Sequence, residues 1–176
     1  MSDQFADDII AFLPNLRRFA VSLCRSQDTA DDLVQITVER AFAARDQYQT
    51  GTRLDAWLFR ILRNAWIDMT RRAKSRGTEI DIDDAPEART VDGTQTVETA
   101  LMLTSARDTI AALPENQRDV ILLICVEELS YKEASQVLDT PVGTVMSRLA
   151  RARRAIAEKM GINRDAGRSS DRQGDS

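Results

Sequence analysis

Catalytic chemistry needs groups that can hold a proton, a metal or a nucleophile, and this sequence is short of them. No histidine occurs in its 176 residues, which excludes Ser-His-Asp and Cys-His catalysis. The two cysteines, Cys24 and Cys125, stand about a hundred residues apart in apolar helical patterns. Two thiols make no disulfide framework, and a reducing cytoplasm is the expectation. A zinc site would have to be built from them and carboxylates. The adjacent carboxylates Asp31-Asp32 and Asp83-Asp84 are the candidates for a metal-dependent nuclease. Neighbours on a helix diverge by about 100°, so the first pair chelates poorly, and the second lies in a polar tether. No catalytic residue, metal or cofactor is expected.

What the chain does carry is arginine at helical spacing. At the C-terminal side, Thr144, Ser147, Arg148, Arg151 and Arg154 share one helical face, opposite Val142, Val145, Leu149, Ala152 and Ile156. The short segment Ser130–Leu138 and the turn Asp139-Thr140-Pro141 precede it. Short helix, tight turn and a helix that opens with small polar residues form a helix-turn-helix pattern. Such a helix can lay its small residues against base edges while its arginines read guanine or grip phosphate. The competing reading is a solvated face that complements the helix dipole.

A second basic row, Arg60, Arg63, Asn64, Ile67, Arg71 and Lys74, lies opposite Trp57, Leu58, Ile61, Leu62, Ala65 and Met69. It suits a nucleic-acid backbone, with Asn64 able to bond a base, or it is a plain solvated face. The loop before it, Tyr48-Gln49-Thr50-Gly51-Thr52-Arg53, offers an aromatic ring on which an unstacked base could rest. A third row, Asp28, Asp32, Gln35 and Glu39, is acidic and amide. It cannot grip nucleic acid, and is either solvent-facing or a dock for a basic protein.

The elements that must position these rows are helices, since sustained two-residue alternation and hairpin turns are missing. Helices are expected over about Phe5–Cys24 with an interruption at Pro14, from a cap at Asp28 or Thr29 to Ala44, and over Leu54–Lys74. Further ones are expected over Val97–Ala112, Glu115–Glu127, Tyr131–Leu138 and Val142–Met160. Net charge is -4, unevenly spread: residues 1–76 carry +2, residues 77–100 carry -6, and residues 101–176 balance. The expected fold is all-α, with two small helical domains (1–76 and 98–161) joined by a flexible acidic linker (77–97), and a disordered tail from residue 162. The second domain holds the helix-turn-helix. No apolar run approaches the roughly 18 residues a membrane span needs, and the acidic N-terminal residues do not suggest a signal peptide.

Five segments, in order, carry a resemblance: Ala30–Gln35, Phe59–Asn64 with Trp57 before it, Leu113–Arg118, Leu129–Ala134 and Pro141–Arg148. Together they resemble the bacterial extracytoplasmic-function (ECF) sigma factors, within them most the alphaproteobacterial general-stress-response group. The resemblance spans roughly residues 10–160. It implies an alternative sigma factor that guides core RNA polymerase to promoter DNA. It also implies polymerase docking through Asp28, Asp32, Gln35 and Glu39. Capture and melting of the -10 element would fall to Tyr48, Arg53, Arg60, Arg63, Asn64 and Arg71, and reading of the -35 element to Thr144, Ser147, Arg148, Arg151 and Arg154. Met146 stands where many relatives carry Arg or Lys, which leaves Ser147, Arg148 and Arg151 as the favoured contacts. An anti-sigma factor is the implied silencer. The competing function is a stand-alone helix-turn-helix regulator, which would bind its operator without polymerase.

Overall fold

The computed structural model describes residues 3–49, 51–77 and 105–161, and every regular element among them is helical. In chain order these are α1 (Gln4–Cys24), α2 (Gln27–Ala43), a 3-10 turn (Arg45–Gln47), α3 (Leu54–Ser75) and α4 (105–111). They continue with α5 (Glu115–Ile121), a π-helical turn (Leu122–Val126), α6 (Tyr131–Leu138) and α7 (Val142–Lys159). The expected linker after Gly77 and the expected tail lie outside the described residues.

Helices α1 to α3 form the first unit. Asp3 caps α1, accepting the Phe5 N–H at 3.3 Å, and Ile9, Leu16, Phe19 and Ala20 are buried along one stripe. The expected interruption at Pro14 does not occur, and α1 runs through it. Proline removes one backbone donor there, but Pro14 is on the exposed side, and burial of Ile9 and Leu16 on either side holds the axis. The cap of α2 is Ser26, whose Oγ accepts the Thr29 N–H at 3.3 Å, and not Asp28 or Thr29. Ser26 has the extended backbone that a capping residue needs, whereas Asp28 already lies in the first turn. On α3 the buried set is Leu58, Phe59, Leu62, Ala65 and Trp66. Phe59 meets Phe12 and Phe19 edge-on at 5.2 Å each, the geometry that aromatic quadrupoles favour. Trp57, Ile61 and Met69 are half-buried at the border of that core.

The second unit packs α5, α6 and α7 around Val120, Leu123, Ala134, Val137, Val145, Leu149 and Ala152. Ser130 and Glu133 close a capping box at the start of α6, satisfying two end donors reciprocally. Asp139 ends α6 in the left-handed region, φ 48°, which turns the chain toward α7. The expected helix Glu115–Glu127 keeps α geometry only to Ile121. Glu127 N–H then bonds Leu122 O at 2.9 Å, five residues back, so the last turn is wide. Val142, expected on the core stripe of α7, is 40% exposed; it begins the helix, beyond the reach of the core.

The two units also touch. Helix α6 packs on α3 and α5 on α1, and the buried residues of both units form one cluster.

Candidate nucleic-acid and polymerase interfaces

On α7, burial of Val145, Leu149 and Ala152 fixes which side faces outward. Gly143, Met146, Ser147, Ala150, Arg151 and Arg154 are exposed together, Met146 to 50%. The Ser147 hydroxyl donates to Thr144 O at 3.0 Å, inside its own helix. A Cβ placed on Gly143 would meet nothing within 4 Å, so the start of α7 presents bare backbone. Two of the five expected -35 residues are not on this open face. Thr144 and Arg148 are half-buried, and Arg148 turns toward α5 because its wheel position falls between the core stripe and the outer face. Ser147, Arg151 and Arg154 are where the sequence places them.

The basic row on α3 divides in the same way. Arg60, Asn64 and Arg71 are exposed on one side. Arg63, half-buried, instead lines an open cleft of about 420 Å³ with Glu115, Asn116, Asp119, Thr140 and Arg148. In the preceding loop the Tyr48 ring is half-buried against Phe5 and Trp57, at centroid distances of 5.9 and 5.3 Å. Its hydroxyl donates to Thr52 O at 2.7 Å. The ring expected as a free platform thus also anchors the loop, which Gly51 turns at φ 98°, a conformation that only glycine adopts readily. Arg53 is not free for phosphate here. Its Nε donates to Asp55 at 3.0 Å, and its Nη1 donates to Glu128 O at 3.0 Å and to Glu133 Oε2 at 3.2 Å, both in the second unit.

On α2 all four residues of the acidic row, Asp28, Asp32, Gln35 and Glu39, are exposed, and Gln35 donates to Glu39 at 3.1 Å. Asp31, beside them in sequence, points elsewhere and pairs with Arg17 at 2.6 Å. Asp31 and Asp32 therefore do not converge on a common point, the pair Asp83-Asp84 lies outside the described residues, and among the described residues no cluster of three potential ligands could hold a metal.

Several polar residues between the units were not legible as a site. Arg18 donates from Nε and Nη2 to Glu127 Oε1 at 2.9 and 2.6 Å, and Asn15 donates to Glu127 Oε2 at 2.8 Å. Only 3% of the Glu127 side chain is exposed. Arg25 donates to Ala111 O. Asp119 is 3% exposed with Oδ1 unpartnered. Burial first, then the Glu115 carboxylate, push its carboxyl up to about 7, against the opposing pull of Arg63, Arg118 and Arg148. Arg118, buried beside it, is pushed down by burial and by Arg25. The available signal was Arg118-Asp119 standing directly before the apolar run Val120–Val126.

A helical unit with an exposed basic row on α3, followed by a helix-turn-helix unit, is the arrangement of a DNA-binding protein. The Sigma-70 region 2 family matches residues 9–76, and the Sigma-70, region 4 family matches residues 103–156. The chain is 38% identical over 157 residues to the ECF RNA polymerase sigma factor EcfG of Rhodopseudomonas palustris (strain TIE-1), covering 89% of this chain and 85% of that one. It is 31% identical to SigM of Bacillus subtilis (strain 168), covering 82% of this chain and 88% of that one. Among solved structures, the sigma factor RpoE of Bartonella quintana, in complex with the anti-sigma factor NepR, superposes with a TM-score of 0.72. The identity there is 32%, with 93% of this chain and all of that chain covered. The chain belongs to the ECF RNA polymerase sigma factors. It is an alternative sigma factor that directs core RNA polymerase to specific promoters and recognises their -10 and -35 elements; the stand-alone regulator is set aside.

Proposed function

We propose the following division of labour within that activity. Residues 1–76 form the polymerase-binding and -10 unit, residues 77–97 a linker, residues 98–161 the -35 unit and residues 162–176 a tail. On α2, Asp28, Asp32, Gln35 and Glu39 dock on core polymerase. Arg60, Asn64 and Arg71 engage the -10 strand together with Tyr48, joined by Arg53 and Arg63 when the second unit is not against them. Ser147, Arg151 and Arg154 engage the -35 duplex, flanked by Thr144 and Arg148. The observation that carries this reading is the outward face of α7, where backbone at Gly143 and two arginines are presented together.

The role is non-enzymatic. Flipping a base costs a few kcal/mol, and contacts to the captured strand offset it; polymerase performs the chemistry. No cofactor takes part. The cytoplasm is the place of action, where polymerase and chromosome are, and no helix among the described residues is long and apolar enough to cross a membrane. An anti-sigma factor is the proposed silencer, as NepR is the partner of the similar Bartonella quintana protein. The resemblance of the five sequence segments to the alphaproteobacterial general-stress-response group is the ground for a place in that response. Reconstituted transcription with core polymerase, followed by start-site mapping, tests the reading. Initiation at discrete sites that depends on the chain is expected; no initiation at any template would refute it.

A further inference from the structure

The second unit turns carboxylates and one carbonyl toward the first: Glu127 pairs with Arg18, Glu133 and the Glu128 carbonyl accept from Arg53, and Asp119 lines one cleft with Arg63. Two of those cations, Arg53 and Arg63, belong to the proposed -10 face, and a DNA strand would offer them the same chemistry, an anionic oxygen. We propose that this acidic ridge is an internal stand-in for promoter phosphate, so that the free chain is closed on itself and strand capture requires the ridge to leave. The inference rests on the strand-capturing role given above to α3.

Geometry supports it independently of charge. Arg63 of the -10 unit and Arg148 of the -35 unit line one cleft. A promoter presents its two elements about two duplex turns apart, roughly 70 Å at 34–36 Å per turn. The arrangement seen here cannot span both at once, so the promoter-bound chain is a different, opened arrangement. The clasp with most to lose on opening is at Glu127. Its carboxylate is almost fully enclosed and is held by three donated hydrogen bonds from Arg18 and Asn15. A carboxylate so enclosed costs stability if a partner is removed, which makes the clasp an on-off contact.

The test uses the full chain, small-angle scattering, and fluorescence anisotropy with a labelled single strand of about 20 nucleotides of mixed sequence. Arg18→Ala, in the first unit, and the pair Glu127→Gln with Glu133→Gln, in the second, each weaken the clasp from one side. Glu133→Gln keeps an acceptor for the Ser130 cap. Both variants should scatter as a larger particle and bind the strand about tenfold more tightly at low salt, the order expected from losing two or three polar contacts. Arg18→Ala is the discriminating arm, because deleting a cation that raises affinity for DNA is a result only internal competition gives. The exchange Arg18→Glu with Glu127→Arg should restore the unmodified behaviour. Unchanged scattering, or opening without a gain in affinity, overturns the proposal. Reconstituted initiation separates the failures: a chain that initiates yet shows no gain refutes the internal competition alone, while one that neither initiates nor binds strand refutes both readings.

Discussion

Arg151 is the residue on which the -35 assignment is most exposed to test. It is solvent-facing on α7 and makes no contact with the core. Arg151→Ala should weaken -35 binding in a reconstituted holoenzyme by about 1–3 kcal/mol if the contact is bidentate to guanine, with association to core polymerase unchanged; footprinting and co-elution check the two halves. Asp119 supports a prediction of another kind. Its folded-state value of about 7 stands above that of an unfolded aspartate, so the folded chain holds the proton more tightly. The stability this supplies is complete below the unfolded value, near 3.9, and is lost as pH rises through 7. Asp119→Asn removes the titration. Relative to the unmodified chain it should therefore gain stability between about pH 5 and about pH 8, by on the order of 1–3 kcal/mol, read from urea midpoints. Equal pH slopes in the two chains would count against the buried acid.

Helix α2 is an element whose outer face has no structural duty, since Ala30, Leu33, Thr37 and Ala41 supply its packing. Asp32→Lys should accordingly leave the thermal midpoint nearly unchanged while reducing co-elution with core polymerase, by roughly 1 kcal/mol or more if a basic partner faces it. At this scale the sequence was largely legible. The apolar period marked α1, α2, α3, α6 and α7 to within a residue or two, because each buries one stripe. It was less informative where several neighbours compete for one helix. Phe59 and Trp66 are core residues of α3 although the stripe read from sequence passed them by, because α1 and α2 bury a wider arc than one neighbour would. For the same reason Arg63 and Arg148 left their rows: each sits at the border of its core, and which border faces the other unit is a tertiary fact that spacing does not encode. Pro14 misled because proline breaks an isolated helix more readily than one packed along its length. The carboxylate at Glu127 was unreadable, since its partners Asn15 and Arg18 lie 112 and 109 residues away.

For the whole molecule the deciding quantity is charge. A free-standing DNA-binding domain tends to have an isoelectric point above about 9, whereas this chain carries -4. Purified chain should bind promoter duplex weakly, and the same duplex should be retained once core polymerase is added; a gel shift at about 100 mM salt distinguishes the cases. The wide turn at Leu122–Val126 has a consequence for how the molecule tolerates change. A five-residue turn is an ordinary helix carrying one surplus residue. Excising Ile124 would let the segment revert to regular winding while the residues after it keep the faces they now present. Inserting one alanine after Ile124, by contrast, would swing everything after it by about 100°. Glu127 would rotate off α1 while the hydrophobic count hardly changed, and the lengthened chain should stay helical by circular dichroism yet lose protection of the α1 amides in hydrogen exchange. Length at this one bend, more than the identity of any side chain in it, sets which face Glu127 turns to α1.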